Sequence, residues 1–238
     1  VLDQGDPDLF LAASRHVQLE PSWGAPVDTA TALRARGVLA LANLGYPDLL
    51  LVAGELLSDD SPPVRQAAAE ALTHCGDRSG AGLLLAVFRR ADEDPVVATA
   101  VLSGILSLAP DWGLPRAGAL LSGPDDSARE LAAIALGQSG LDEAATLLIA
   151  YLNDTPLASR RAFAVRGLGL HRSDRALEAL LEIVAGGTPA DAAAAVAALS
   201  PRRFDPRVRD RVRAAAERNR SANLERALQD AFPDEGPP

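Results

Sequence analysis

Apolar residues along this 238-residue chain recur at i, i+3, i+4 and i+7 rather than alternately. That spacing predicts amphipathic helices and argues against strands. Within Val64-Arg65-Gln66-Ala67-Ala68-Ala69-Glu70-Ala71-Leu72-Thr73-His74-Cys75-Gly76, a small residue precedes a large one at Ala71-Leu72. The same pair returns as Ala40-Leu41, Gly104-Ile105, Ala135-Leu136, Gly167-Leu168 and Ala198-Leu199. Its large members are separated by 31, 33, 31, 32 and 31 residues, which chance does not produce. Four positions before each large residue stand Gly37, Ala68, Val101, Ala132, Ala164 and Ala195. Four positions after it stand Gly45, Gly76, Ala109, Gly140, Arg172 and Arg203. Glycine just past the last periodic residue is a helix stop, because it takes the left-handed conformation at little cost. A second apolar run follows each stop, as in 49–57, 81–88, 114–121, 144–152 and 176–184. Each period therefore reads as helix, tight turn, helix, turn.

The turns before the alanine-rich helices are acidic and proline-rich: Asp59-Asp60-Ser61-Pro62-Pro63, Asp92-Glu93-Asp94-Pro95, Gly123-Pro124-Asp125-Asp126-Ser127 and Asp154-Thr155-Pro156. Asp and Ser accept from the unpaired amides of a first helical turn, where proline is tolerated and negative charge suits the helix dipole. Two short helices cannot bury an apolar face alone, so neighbouring units must stack. The small column at 40, 71, 104, 135, 167 and 198 would allow close approach.

The pattern Asp-x-x-x-x-Val-Arg-x-x-Ala-x-x-Ala-Leu-x-x-x-Gly-Asp at residues 59–77 resembles the HEAT repeat, in the short bacterial form called the phycobilisome-lyase HEAT-like repeat. The resemblance covers about six copies between residues 29 and 216. It implies an all-α, right-handed α-α superhelix, a HEAT-like solenoid of six two-helix repeats. Such arrays serve as scaffolds, lyase subunits and DNA-repair enzymes, so the resemblance speaks to fold more than to activity. The expected organisation is a partial N-terminal repeat and linker (1–28), the repeat array (29–201), and Arg-rich C-terminal capping helices with a tail (202–238). Helices are expected at 9–17, 207–219 and 222–232. Val1 in place of methionine reads as a fragment or a processed chain.

Composition narrows the chemistry. All 23 basic residues are arginine, against 32 acids, for a net charge of −9. That balance argues against a general nucleic-acid binder. Residues 1–201 carry 14 arginines and 25 acids, whereas 202–226 carry nine arginines and four acids. The basic block Arg202, Arg203, Arg207, Arg209, Arg211, Arg213, Arg218 and Arg220 could grip phosphate, or pack against the acidic body of a neighbouring molecule. Cys75 is the single cysteine, which excludes an internal disulfide and a thiolate metal cluster; it is expected as a small core residue. No run is long and apolar enough for a membrane span, and no targeting segment opens the sequence, so the expected compartment is the cytoplasm.

No catalytic constellation stands out. His74 and Cys75 point about 100° apart on a helix, and His16 and His171 lie in unrelated units without an adjacent Glu. Trp23 and Trp112 are expected as packing anchors. No catalytic residue, cofactor or metal is therefore expected, and the chain is read as a non-enzyme.

Two residue columns remain. Arg34, Arg65, Arg129 and Arg161, interrupted by Ala98 and Ala192, are read as a structural ladder, each paired with the acidic turn six residues earlier, as Asp28 with Arg34 and Asp59 with Arg65. The resemblance adds that Asp and Arg link successive layers. The second column is the outer stripe of the helices around 66, 70 and 73, expected to line a concave surface. It contributes Leu39, Gln66, Glu70, Thr73, Ser103, Leu106, Glu130, Ile134 and Arg166 as candidate partner-binding residues. Leu39, Leu106 and Ile134 are its apolar points, which either face the partner or tilt into the core. The function expected is a protein–protein interaction scaffold or adaptor. The alternatives are a partner subunit of an enzyme, as the bilin-lyase resemblance implies, or a DNA-binding array.

Overall fold

The computed structural model describes residues 5–219 and 221–233. Arg220 of the basic block and the tail 234–238 lie outside the described residues. Contacts divide the chain into two compact units, one ending at Gly113 and the other beginning at Leu114. The fold is all-α, built of stacked helical hairpins, and among the described residues its one departure is a short ribbon near the N-terminus.

The first unit opens with α1 (Pro7–Arg15), whose first turn is capped by Asp6 accepting from the Asp8 amide at 3.0 Å. The chain then runs extended into an antiparallel hairpin of β1 (Leu19–Glu20) and β2 (Val27–Asp28), with Leu19 opposite Asp28 and Glu20 opposite Val27. The helix expected to reach residue 17 therefore stops at Arg15, and the expected linker is the hairpin loop, 21–26. Then come α2 (Thr31–Asn43), α3 (Leu49–Leu56), α4 (Pro62–Cys75), α5 (Arg78–Arg90) and α6 (Pro95–Leu108). α7 (Pro110–Ser122) begins after a single-residue turn at Ala109.

The second unit continues with α8 (Asp126–Ser139), α9 (Asp142–Asp154), α10 (Ala158–Leu170), α11 (Asp174–Gly186) and α12 (Pro189–Leu199). A 3-10 turn at Ser200–Arg202 leads to α13 (Pro206–Ala216) and α14 (Ala222–Ala231). The caps follow the acidic turns: Asp77, Asp94 and Asp125 accept from amides of their first turns, as do Ser173 and Thr188. Gly45, Gly76 and Gly140 stop helices at positive φ of 64°, 71° and 69°.

Each unit has two layers. In the first, α4 lies between α2 and α6, with α1 against α2, while α3 and α5 form the other layer. In the second, α8, α10, α12 and α14 pack in series, backed by α9, α11 and α13. The periodic column Leu41, Leu72, Ile105, Leu136, Leu168 and Leu199 is buried throughout. Small residues set the spacing of the even layers. A Cβ on Gly137 would lie 2.3 Å from the Gly167 carbonyl oxygen, and one on Gly37 would lie 2.7 Å from the Ser14 nitrogen. Both helix pairs therefore meet backbone to backbone.

Candidate interaction surface

The arginine column organises the turns between repeats. Arg34 is buried and uses its whole fork. Nε and Nη2 donate to Asp59 at 2.9 and 3.1 Å, and Nη1 donates to Asp28 at 2.5 Å and to the His16 carbonyl at 3.0 Å. Arg65 repeats the motif one unit on. It donates bidentately to Asp92 at 2.7 and 2.9 Å, and its Nη1 reaches the carbonyls of Asp59 and Asp60. This corrects the Asp59–Arg65 pairing expected from the spacing. Arg65 takes the Asp59 backbone, because the Asp59 carboxylate already serves Arg34 and the Ser61 amide. Asp59 and Asp92 each bond the amide two residues ahead and an arginine of the preceding repeat, so they hold turn and layer together. Planar, charge-assisted forks of this kind fix geometry well.

In the second unit, Arg161 donates to Asp191 at 2.7 Å and to the Thr155 and Pro156 carbonyls. Arg129 is fully buried but has no aspartate at the equivalent place in the next repeat, where Thr155 and Pro156 stand. It is satisfied by the Leu121 and Gly123 carbonyls and by Asp126, and lies 5.7 Å from the Phe163 ring centre. Two carboxylates register the ladder electrostatically. The Arg65 fork, before all else, holds Asp92 below its ordinary pKa. Asp28 is lowered first by the Ala30 amide and then by Arg34.

The outer stripe of the even layers carries the other candidates. In the first unit, Glu70 is exposed, and Leu39, Gln66 and Thr73 are half-buried. Gln66 donates to Glu70 at 2.7 Å, and the Thr73 hydroxyl donates to the Ala69 carbonyl at 2.8 Å. The Ser103 hydroxyl is enclosed without a hydrogen-bond partner. Leu106 does not belong to the surface: it is fully buried. The one-residue turn at Ala109 folds α7 back so tightly that a Cβ on Gly113 would lie 2.8 Å from the Leu106 Cα.

In the second unit, Ile134 is half-buried, and Arg166 of α10 bridges to Glu130 of α8 on the exposed face. Beside Arg166, α10 and α12 enclose a groove of about 390 Å³, whose walls include Ala162, Val165, Gly169, Ala194 and Ala197. It exists because that face carries alanine and glycine; Gly169 sits so close to Ala198 that a Cβ would meet its carbonyl at 2.8 Å. The structure thus brings Glu130 and Arg166 together and sets Arg166 at the groove.

Other features escape sequence reasoning. A second cleft, of about 690 Å³, opens between residues 114–122 and α9 over Leu114, Gly118, Leu121, Leu147 and Tyr151, with Glu143 and Asp154 at its rim. His171 is fully buried. The Ser173 amide donates to its Nδ1 at 3.2 Å, so Nε2 carries the proton and donates to the Leu141 carbonyl at 3.0 Å. Cys75, expected in the core, is exposed at the end of α4. Trp112 is half-buried in the first unit's core, 5.1 Å beneath the Arg78 guanidinium. Trp23, expected as a packing anchor, is fully exposed in the hairpin loop. Among the described residues, no group of three His, Cys, Asp or Glu side chains is placed to hold a metal ion, and no helix is long and apolar enough to cross a membrane.

No curated protein matches the chain in sequence. Among solved structures, the complex of CpcE and CpcF of phycocyanin lyase from Nostoc sp. PCC7120 is similar at 19% identity, with 95% of this chain and 82% of that chain covered and a TM-score of 0.45. Human deoxyhypusine hydroxylase in complex with glycerol is similar at 20% identity, 85% and 78% coverage, and a TM-score of 0.41. Escherichia coli YibA is similar at 17% identity, 97% and 88% coverage, and a TM-score of 0.48. Likenesses this distant carry no activity over to this chain. The family model described as HEAT repeats matches residues 26–105 and 114–200, most of the sequence. With the arginine–aspartate ladder and the stacked helical hairpins, that match establishes that the chain belongs to the HEAT-repeat family.

Proposed function

We propose that this HEAT-repeat chain is a binding module that holds a partner protein on the outer stripe of its even-numbered helices, without converting it chemically. The observation that carries the reading is the groove between α10 and α12, an open channel floored by small side chains with Arg166 at its wall. Backbone-to-backbone packing at Gly137 and Gly167 draws α8 and α10 together. Close spacing of this kind turns the stripe toward the inside of any curvature within the unit. Concave surfaces of stacked repeats are their usual binding faces. Their advantage is preorganisation: the surface is already ordered, so little conformational entropy is lost on association. The groove's alanine and glycine positions leave room for inserted side chains, and the Glu130–Arg166 pair offers both charges at its edge.

The test is affinity capture with the wild type and with Ala197→Trp, which fills the groove from an exposed position. Circular dichroism and thermal unfolding must first show that the variant is folded. A protein captured by the wild type and lost from the folded variant supports the reading. Identical captures contradict it, as does loss of binding at moderate salt alone, which marks a polyanion.

A further inference from the structure

Among the described residues, five of the twelve exposed large apolar side chains fall between Leu9 and Val27. Trp23 is the extreme case. Its indole stands free at the tip of the β1–β2 hairpin, at 108% relative exposure. The hairpin itself is held firmly. The Thr29 amide donates to the Gln18 carbonyl at 2.9 Å, and the Gln18 amide donates to Asp28 at 3.1 Å. Asp28 is in turn bound by Arg34 of the ladder. Pro21 and Pro26 flank the loop and limit its freedom. A rigidly presented, fully solvated tryptophan is the form of an interface anchor.

A receiving site lies on the same chain's second unit. Helices α13 and α14 enclose a cleft of about 230 Å³, floored by Ala216, Leu224 and Leu228, with Arg213, Glu217 and Glu225 around it. Its size suits one large aromatic side chain. A guanidinium at the rim favours an indole face, and the carboxylates can accept from the indole N–H. Charge favours the same pairing. Residues 5–28 hold four carboxylates and one arginine, whereas 202–233, the segment that carries α13 and α14, hold nine arginines and five carboxylates. Opposite fields of this kind steer association and weaken with salt.

We infer that the chain self-associates, with Trp23 of one copy seated in the α13–α14 cleft of a second copy. Two different surfaces meet, so the contact is heterologous and leaves each complex with a free hairpin and a free cleft for further copies. Another protein taking the indole, or a membrane surface, would leave the isolated chain monomeric.

Sedimentation velocity on the whole chain tests this between about 5 and about 500 µM, the range of weak association. The wild type is expected to sediment faster as concentration rises, and less so in about 0.5 M salt, where screening shortens the Debye length. Trp23→Ser, a change at an exposed loop position, is expected to weaken association about 30-fold or more, as loss of an interface anchor does. Arg213→Glu, or Leu228→Arg if that variant unfolds, should do the same from the cleft side. An equimolar mixture of Trp23→Ser with a cleft variant retains one intact hairpin and one intact cleft, so it should form dimers and stop there. A wild type monomeric throughout, association indifferent to Trp23→Ser, or a mixture that stays monomeric beside an associating wild type would each overturn the inference.

Discussion

The glycine pair at positions 137 and 167 sets two known effects against each other. Replacing a mid-helix glycine with alanine stabilises a helix by about 1 kcal/mol. At Gly137, however, the new methyl carbon would stand 2.3 Å from the Gly167 carbonyl oxygen and 3.0 Å from its carbonyl carbon and Cα. All three are backbone atoms, so no rotamer change relieves the clash and α8 must move away from α10. Overpacking costs about 1–3 kcal/mol, and a rigid backbone neighbour places this site at the upper end. The net expectation for Gly137→Ala is a loss of about 2 kcal/mol, a fall of roughly 1 M in the urea midpoint at the slopes usual for small proteins. Gly82 is the control: it sits within α5 with nothing inside 4 Å of a built Cβ. Gly82→Ala should gain about 0.5–1 kcal/mol. Urea unfolding followed by circular dichroism compares both with the wild type. If Gly137→Ala gains stability as Gly82→Ala does, the close approach of α8 and α10 is refuted.

Other consequences follow from the same geometry. Leu106→Glu buries an unpaired carboxylate and should cost more than about 4 kcal/mol or abolish folding, whereas Ile134→Glu on the half-buried stripe should cost about 1 kcal/mol; thermal melts separate them. His171→Phe leaves the Leu141 carbonyl and the Ser173 amide without their ring partners and should cost about 2 kcal/mol in urea unfolding. Asp92 titrates below its ordinary value in the folded chain because of Arg65, so its contribution is present above the ordinary carboxylate range and is lost as pH falls through the lowered folded value. The stability difference between wild type and Arg65→Gln should therefore be full near neutrality and shrink below about pH 4; a difference that grows on acidification contradicts the ladder geometry.

Most of the fold is legible because it repeats. Leu41, Leu72 and their equivalents must be buried in every copy, so six weak local signals reinforce one register. The ladder is legible by residue type, and by partner at Asp28–Arg34 but not at Arg65. Spacing within one turn points Arg65 at Asp59, and only the stacked structure reveals that Asp59 belongs to Arg34 and that Arg65 reaches forward to Asp92. Leu106 departs from the stripe for a related reason: Thr73, its equivalent in α4, stays half-buried at the surface, but the single-residue turn at Ala109 brings Gly113 down upon Leu106. The hairpin at 19–28 carries no periodic signal, since each strand has two residues and its hydrogen bonds depend on Asp28, which the ladder fixes. Trp23 shows the limit of composition. A rare large aromatic residue in a loop reads as a packing anchor until that loop is seen to project it into water. The groove at α10 and α12 arises from absent side chains at Gly169, Ala194 and Ala197, which periodicity registers only as small.

The most direct test of the binding account is calorimetric titration of the captured partner against four folded proteins: wild type, Ala197→Trp in the groove, Ile134→Glu on the stripe, and Leu51→Glu on an exposed position of α3. The account predicts that Ala197→Trp and Ile134→Glu each weaken binding about tenfold or more, as disruption of an interface does, while Leu51→Glu binds like the wild type. Equal losses from all three variants, or loss only from Leu51→Glu, would contradict it.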